Sequence, residues 1–445
     1  MKGQCFISQP GAEHYHQASP VVFAAREKSG QQLIKVFPQH RQQRVEGFGG
    51  SFTESAGIVY NSLPASARER VLQHYFGPTG NRYNLARLPI QSCDFSLSNH
   101  ACVNSYQNIR DGKLDFSHDH EYLMPFIRDA LVLQPEMILM ASPWSPPAFM
   151  KSNQHMNRGG YLQRKDYALW AELIVSWLLE YRRNGIHISR LSVQNEPVAV
   201  KPWESCLYSV EDEGDFAVNY LNKALAGNGL EDTELYIWDH DKDGIVDWTE
   251  RAFADESRSA AINGVAFHWY TGDHFAQIQH LARRYPDKKL LFTEGCVPME
   301  GRDASTQLRH SGLYLHDMIG NFNAGACGYI DWNLLLDDEG GPNHQGNRCE
   351  APIQCRQGGE EPVVNLSYHF IGHFSRYVLS GAEVVLSSSY DRQLETVAFV
   401  NPDGERVLVT FNHGVEPRQC RVVDGDMETS LKLDGWNACT LTWRP

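Results

Sequence analysis

Short apolar runs alternate with amphipathic segments between residues 45 and 379. The clearest amphipathic segment is 166–181, where apolar side chains recur at steps of three and four residues and predict a helix with one buried face. Regular alternation of strands and helices predicts parallel strands, and eight repeats favour a closed barrel over an open sheet. The predicted strands are 45–52, 84–90, 136–141, 190–194, 234–239, 264–269, 289–293 and 327–333.

The two ends of the chain have a different pattern. Stretches within 24–44 and 384–445 alternate apolar and polar positions and are separated by turn residues such as those at 401–404. This pattern is typical of antiparallel strands with one buried face. We therefore predict an α/β fold with a (β/α)8 TIM barrel at 45–379, and an associated antiparallel β-sandwich side domain built from 1–44 and 380–445.

Two of the predicted barrel strands end abruptly in a glutamate. One runs into Asn195, Glu196 and Pro197, and the other ends at Glu294. A single glutamate at a strand end is usually a surface residue. In a parallel barrel, however, the carboxyl ends of the strands surround one mouth, where active sites lie. The matched contexts of these two residues predict a carboxylate pair.

Further polar and aromatic residues follow the other predicted strands. Tryptophans beside a carboxylate pair suit sugar binding, because the apolar face of a sugar ring stacks on an aromatic plane while its hydroxyls need acids and amides. Some of these residues have a plainer explanation, since the tryptophans could belong to the core and His268 could be an ordinary buried histidine. The set comprises Arg87, Asp94, Ser142, Trp144, Asn195, His268, Tyr270, Asp331, Trp332 and Asn333.

Composition narrows the range of partners. The chain has 445 residues and a net charge of −14, from 40 basic and 54 acidic residues without long runs of one sign. We therefore do not expect nucleic acid as a partner. No apolar stretch is long enough to span a membrane, and residues 1–10 lack the apolar core of a secretory signal. The oligomeric state is unknown at this stage.

The ten cysteines do not form any C-x-x-C pair. In a chain of this size they favour reduced thiols and a cytoplasmic location. Cys349 and Cys355 are close in sequence, but no second pair of ligands complements them at zinc-finger spacing. We expect neither a metal site nor a disulfide there.

One acidic segment matches a calcium-binding loop in its spacing. Asp239, Asp241, Asp243, Asp247 and Glu250 occupy the positions at which such a loop supplies its ligands. A calcium loop of this kind lies between two helices, whereas here a predicted strand enters directly. We expect an acidic barrel loop without a metal, with the next helix beginning near Asp247.

Taken together and in order, the motifs resemble those of glycoside hydrolase family 30, the family of glucosylceramidase (acid β-glucosidase). Each motif alone is weak, but the resemblance covers nearly the whole chain. The matching segments are Gly47-Phe48-Gly49-Gly50, Arg87 with Ser92-Cys93-Asp94-Phe95-Ser96, Ala141-Ser142-Pro143-Trp144, Asn195-Glu196-Pro197, His268-Trp269-Tyr270, Thr293-Glu294-Gly295-Cys296, Asp331-Trp332-Asn333 with Gly340-Gly341-Pro342-Asn343, and Gly372-His373-Phe374-Ser375.

The resemblance implies a retaining β-glycosidase that needs no cofactor or metal. It implies that Glu196 is the general acid/base and Glu294 the nucleophile of a double displacement. Retaining enzymes hold two such carboxyl groups about 5 to 5.5 Å apart. The implied sugar contacts are Asp94, Trp144, Asn195, Trp332 and Asn343, and the implied supporting residues are Arg87, His268 and Tyr270.

The two carboxyl groups need different pKa values to act as acid and nucleophile. We expect Arg87 and the Tyr270 hydroxyl to keep Glu294 anionic, and repulsion between the two carboxylates to raise the pKa of Glu196.

The substrate is less constrained by the sequence. The resemblance implies β-glucosides, and the absence of a leader, together with His344 after Asn343, favours short soluble glycosides cleaved from the end of the chain. Endo-β-1,6-glucanase and β-xylosidase activities are alternatives within the family. The non-enzyme alternatives are a carbohydrate-binding barrel without catalysis and a calcium-regulated interaction module.

Overall fold

The computed structural model describes residues 1–8, 17–27 and 32–445. Parts of the predicted sandwich segment, at 9–16 and 28–31, lie outside the described residues. Eight parallel strands form a closed barrel, in which each strand pairs with the next along the chain and the last pairs with the first. The barrel strands are Gly47–Ser51, Leu85–Ile90, Ile138–Pro143, Arg190–Ser192, Glu234–Asp241, Gly264–His268, Lys289–Glu294 and Gly328–Asn333.

Helices connect these strands. The helix predicted at 166–181 is Tyr167–Arg183, and its buried face includes Trp170, Ile174, Trp177 and Tyr181 at the expected spacing. The α-helices of the described part are Glu54–Ser62, Ala65–Tyr75, Tyr106–Arg110, Met124–Leu133, Tyr167–Arg183, Val210–Asp215, Asn222–Gly227, Ile245–Phe253, Glu256–Ala261, Phe275–Arg284, Ala304–Ala324 and Leu366–Ser375. Short 3-10 and π turns occur at Ala148–Met150, Arg164–Asp166, Lys242–Gly244, Asp119–Leu123 and Phe216–Leu221.

A ten-stranded, mostly antiparallel sheet forms the side domain. The long strand Leu33–Arg44 lies inside this sheet, between Glu383–Ser389 and Arg418–Asp424, so the two ends of the chain are joined by backbone hydrogen bonds. Its strands are Lys2–Ser8, Gln17–Val22, Ala24–Ala25, Leu33–Arg44, Glu383–Ser389, Leu394–Val400, Arg406–Asn412, Arg418–Asp424, Met427–Leu433 and Ala438–Trp443. The predicted α/β barrel with a β-sandwich side domain is confirmed.

The barrel interior is layered. Leu85, Met140, Tyr236, Ala266 and Leu291 belong to one apolar cluster inside the barrel. Side chains alternate along a strand, so the residue two positions further on faces the same way. This places a polar layer above the apolar one, nearer the carboxyl ends of the strands. The polar layer includes Arg87, Ser142, His268 and Thr293.

The barrel is irregular where its strands reach the mouth. The pairing shifts register between Ala266 and Phe267 on one side of the sixth strand and between Phe267 and His268 on the other. Trp238 and Asp239 have φ angles of 72° and 44°. Bulges beside an active site change the direction of side chains, and these turn Asp239 into the polar layer.

The segment that matched a calcium loop has a different structure. The fifth strand continues through Asp241, and the next helix begins at Ile245, slightly earlier than expected. Its acidic side chains bind separate protein groups: Asp241 accepts from the Tyr270 N–H at 2.8 Å, and Glu250 lies 2.8 Å from His280 Nε2.

Small strands connect the loops above the mouth. Val297–Pro298 pairs with Cys349–Glu350, and Leu335–Leu336, Ile353–Gln354 and Val363–Val364 form a three-stranded sheet. Among the described residues, none of the helices is long and apolar enough to cross a membrane. The ten cysteines, all within the described part, are free thiols.

Candidate active site

Arg87 is the cation at the centre of the polar layer. It is fully buried and makes four hydrogen bonds through its guanidinium. Nη1 donates to Glu294 Oε2 at 2.6 Å, and Nη2 donates to Asn195 Oδ1 at 2.7 Å and to Asp239 Oδ2 at 2.8 Å. The guanidinium therefore fixes one carboxylate, one amide and one buried acid at once.

Asp239 is the buried acid that organises this layer. It accepts hydrogen bonds on both oxygens from side chains of five strands. The donors are Arg87 Nη2 at 2.8 Å, Ser142 Oγ at 2.9 Å, Ser192 Oγ at 2.6 Å, Thr293 Oγ1 at 2.6 Å and His268 Nε2 at 3.2 Å. Burial opposes the charged form, but Arg87, His268 and Ser192 hold the pKa of Asp239 well below its usual range. This role was not predicted: Asp239 was expected at the end of the strand 234–239 and in an acidic loop, and not among the candidate site residues.

Both oxygens of Glu294 receive hydrogen bonds. Arg87 donates to Oε2, and the Tyr270 hydroxyl donates to Oε1 at 3.0 Å. Glu294 is 7% exposed and lines the cleft. Donors on both oxygens hold this carboxylate in a fixed orientation.

Glu196 faces the same cleft and has cations and imidazoles around it. Lys201 Nζ lies 3.3 Å from its Oε2, and His268 Nδ1 and His240 Nδ1 lie 3.7 Å and 4.0 Å from its Oε1. Its φ angle is 46°, a left-handed conformation that costs a non-glycine residue about 1–3 kcal/mol. The backbone is held there because its N–H donates to Asp239 O at 3.0 Å.

The expected rise in the pKa of Glu196 is wrong for this structure. Burial alone would raise it, but His268 beside its Oε1, together with His240 and Lys201, lowers the pKa of Glu196 to about 2. Burial would likewise lower the pKa of His268, but the charge of Glu294, the hydrogen bond to Asp239 and the nearby Glu196 carboxylate raise it to about 10. In the open cleft these shifts favour an anionic Glu196 beside a protonated His268.

The cleft has a volume of about 330 Å³. Trp144 and Trp332 stack at its base with ring centroids 5.3 Å apart, and Arg87 lies 4.6 Å from the Trp144 ring. Each tryptophan is only 2% exposed; both pack in a core cluster and also line the cleft. The lining residues are Asp94, Phe95, Trp144, Asn195, Glu196, Lys201, Trp203, Tyr270, Glu294, Cys296, Trp332, Asn347 and Cys349.

The sequence also matches the models of two known protein domains. The family model for the glycosyl hydrolase family 30 TIM-barrel domain matches residues 45–378, and the model for the family 30 beta sandwich domain matches residues 381–438. The chain belongs to glycosyl hydrolase family 30. The resemblance found in the sequence is thereby confirmed, and the chain is classed with the glycosidases.

Three known proteins are similar to this chain over most or all of its length. Mouse lysosomal acid glucosylceramidase is 29% identical over 430 residues, which cover 93% of this chain and 83% of that protein. The crystal structure of SrfJ from Salmonella typhimurium is 58% identical, with a TM-score of 0.98 and complete coverage of both chains. The endo-beta1,6-glucanase BT3312 is 25% identical, with a TM-score of 0.88 and complete coverage of both chains.

The family 30 cleft contains Asn347 instead of the predicted Asn343. Asn343 uses its side chain within its own turn, where Nδ2 donates to Asn347 O and Oδ1 accepts from the Asn347 N–H. Asn347 lines the cleft and donates to Asp94 Oδ2 at 3.1 Å. His344 Nδ1 lies 2.7 Å from Ser96 O, and His344 is not among the residues that line the cleft.

Two clusters among the described residues of this family 30 chain bring three metal-ligand atoms within 4.8 Å of one another. In the first, His240 Nδ1 already accepts the Asp241 N–H at 2.7 Å and is not available beside Glu196. The second joins Glu54 to His100 and His118, whose rings stack 3.7 Å apart and within 6° of parallel. Lone pairs of parallel imidazoles do not converge on one ion, so neither arrangement fits a metal centre as it stands.

Proposed function

We propose that this family 30 glycosidase is a retaining β-glucosidase, with Glu294 as nucleophile and Glu196 as general acid/base. The observation that carries the proposal is the different environment of the two carboxyl groups in one cleft. Glu294 receives hydrogen bonds from Arg87 and Tyr270, whereas Glu196 lies beside His268, a group that can supply a proton. A double displacement needs one carboxylate that attacks the sugar and a second carboxyl group that donates a proton to the leaving oxygen.

In the first step, a Glu294 oxygen attacks the anomeric carbon while the leaving oxygen takes a proton from Glu196. The raised pKa keeps His268 protonated near neutral pH, and we propose that substrate binding, which excludes water and brings the leaving oxygen to Glu196, moves this proton to Glu196 before the glycosidic bond breaks. Arg87 and Tyr270 hold the attacking carboxylate in place. Their hydrogen bonds to Glu294 weaken as the covalent bond forms, because the carboxylate then loses its negative charge. In the second step, Glu196 accepts a proton from water, which then releases the sugar from Glu294.

The sugar contacts follow from the cleft lining. Asn195 Oδ1 already accepts a hydrogen bond from Arg87. The side-chain N–H of Asn195 therefore remains to donate to the 2-hydroxyl of the sugar, a contact that strengthens in the transition state. Asp94 and Asn347 together offer an acceptor and a donor for another hydroxyl. Lys201 and Trp203 line the cleft near Glu196, where the leaving group must reach the acid.

The substrate that we propose is a short soluble β-glucoside, cleaved from its end. Pockets for small ligands span roughly 300–1,000 Å³, and the cleft of about 330 Å³ supports a single sugar unit at its base. Endo-β-1,6-glucanase activity is the second candidate, because BT3312, an endo-beta1,6-glucanase, matches this chain over its full length. We further propose that the catalytic barrel is 45–379 and the side domain is 1–44 with 380–445, in keeping with the membership of the two sheets.

A substrate panel tests the proposal. Chromogenic β-glucosides, β-xylosides and β-galactosides are compared with β-1,6-glucan, and the released sugars are identified by chromatography. We expect turnover of β-glucosides and release of glucose alone from short β-1,6-linked chains. Internal cutting of glucan, with longer products first, would favour the second candidate, and sugar binding without any turnover would favour a non-catalytic carbohydrate-binding barrel.

A further inference from the structure

Two thiols from distant parts of the chain meet in the sugar cleft. Cys296 Sγ and Cys349 Sγ lie 3.4 Å apart, and both side chains line the cleft and are partly exposed. Cys296 follows the Glu294 strand, and Cys349 begins the short strand that pairs with Val297–Pro298. The backbone ladder therefore holds the two thiols together without a covalent bond.

The pair is in contact with the residues that surround the proposed nucleophile. The Tyr270 hydroxyl lies 3.5 Å from Cys296 Sγ and donates to Glu294 Oε1 at 3.0 Å. On the other side, Cys349 is two residues after Asn347, which donates to Asp94. A covalent link between the thiols would thus change both walls of the sugar site.

We propose that Cys296 and Cys349 are a reversible modification site, at which a two-electron oxidant of the diazene or peroxide class joins them in a disulfide and slows the enzyme. A disulfide needs a sulfur separation of about 2.05 Å, so the sulfurs approach each other from 3.4 Å. This movement draws Cys296 away from the Tyr270 hydroxyl and narrows the cleft between Glu294 and Asn347.

The chemistry balances with a diazene as the oxidant. The thiolate of one cysteine adds to the N=N bond, and the second thiol then attacks the bound sulfur, forms the S–S bond and expels the nitrogen group as a hydrazine. The two cysteines lose two electrons and two protons, which reduce N=N to HN–NH. Hydrogen peroxide accepts the same two electrons and two protons and ends as two molecules of water.

A second thiol pair in the same chain provides an internal comparison. Cys5 Sγ and Cys439 Sγ are also 3.4 Å apart, on neighbouring strands of the side sheet. Their exposures are 3% and 0%, so an oxidant in solution cannot reach them in the folded protein. The two pairs have the same sulfur separation, but only the cleft pair is accessible to an oxidant in solution. We therefore expect selective oxidation of the cleft pair.

The test uses the reduced full-length protein treated with diamide, with remaining thiols alkylated and peptides mapped by mass spectrometry without reduction. We expect a peptide linked through Cys296 and Cys349, lighter by two hydrogen atoms, before any peptide linked through Cys5 and Cys439. Hydrolysis of a β-glucoside should fall roughly five-fold, the effect of losing about one hydrogen bond near the reacting carboxylate. Dithiothreitol should restore it.

Two variants separate the proposal from its alternatives, each compared with its own reduced activity. Cys349→Ser should show no diamide-dependent loss, whereas Cys439→Ser should respond as the unmodified chain does. The proposal is overturned by the absence of the 296–349 peptide, by earlier linkage of the buried pair, or by an equal loss in Cys349→Ser. The peptide readout does not depend on glycosidase activity, so it stands apart from the proposed function.

Discussion

Asp239 accepts a hydrogen bond from Arg87 at 2.8 Å, and both side chains are fully buried. Arg87 in turn donates to Glu294, so the position of the proposed nucleophile depends on an acid that does not line the cleft. Asp239 is therefore a positioning residue.

Replacing Asp239 with asparagine removes the charge that balances Arg87. Loss of one partner of a buried ion pair costs about 3–5 kcal/mol in stability, and urea unfolding measures this change. We also expect kcat to fall more than KM rises, because Glu294 loses its fixed orientation while the other cleft residues remain.

The matched control is Ser192→Ala, which removes one hydroxyl donor to the same Asp239 oxygen but leaves the charge of Asp239 in place. Its cost in unfolding free energy should be smaller, about 2 kcal/mol. If both variants behaved alike, the charge of Asp239 would not be the property that matters.

Glu294→Gln should lower kcat by roughly a thousand-fold or more, as loss of a covalent nucleophile does in other hydrolases. The amide keeps the shape of the side chain, so sugar should still bind, which calorimetry measures. The matched control is Glu234→Gln at the start of the fifth strand, where the glutamate pairs with Lys289 and Arg190. Activity in Glu294→Gln close to that of the control would remove Glu294 as the nucleophile.

Glu196→Ala should retain most activity in the glycosylation step on substrates with good leaving groups, which need no proton. Azide should then enter the vacated space, where Lys201 supplies a positive charge, and yield a β-glycosyl azide. In Glu196→Gln the amide still fills that space, so azide should rescue it far less. Failure of azide to accelerate the alanine variant would weaken the acid/base assignment.

The pH dependence of activity tests whether His268 holds the proton that Glu196 needs. With the pKa of His268 raised to about 10 and that of Glu196 lowered, the pair should keep its proton into the alkaline range. His268→Gln removes the cation beside Glu196, so the alkaline limb of kcat/KM should move to lower pH. An unchanged limb would show that the proton is held elsewhere.

The same histidine links pH to stability. Its folded pKa lies above the ordinary value of 6.5, so its contribution is complete below about pH 6.5 and is lost as the pH rises towards 10. His316, whose pKa is raised to about 9 by Glu395, with burial opposing and Asp273 assisting, contributes in the same direction. His316→Gln should therefore reduce the loss of melting temperature at high pH without moving the alkaline limb of activity.

Sequence patterns located the parts of this site that depend on strand periodicity. Glu196 and Glu294 each follow a short apolar run that forms a barrel strand. A parallel barrel brings the carboxyl ends of its strands to one mouth, so both glutamates lie in one cleft. Recognising the two strands was therefore enough to predict the pair. His268 and Tyr270 were found for the same reason, because His268 ends its strand and Tyr270 lies two residues beyond it; Arg87 lies three residues before the end of its own strand.

The residues that were missed depend on conformations without a periodic signal. Asp239 turns into the barrel because Trp238 and Asp239 adopt left-handed φ angles, and nothing in the acidic run indicates which acid turns inward. Asn343 and Asn347 lie four residues apart in one irregular loop, where spacing does not identify the one that faces the cleft. The lowered pKa of Glu196 depends on His268, His240 and Lys201, which come from two strands and a loop and meet only in three dimensions.

The central claim is that Glu294 and Glu196 act in sequence on one sugar carbon, with a covalent intermediate between the two steps. Proton NMR of the first product from a β-glucoside tests this most directly, because mutarotation is slow enough to follow early in the reaction. The account predicts that β-glucose forms first and converts slowly to the α-anomer. Initial formation of α-glucose would contradict it.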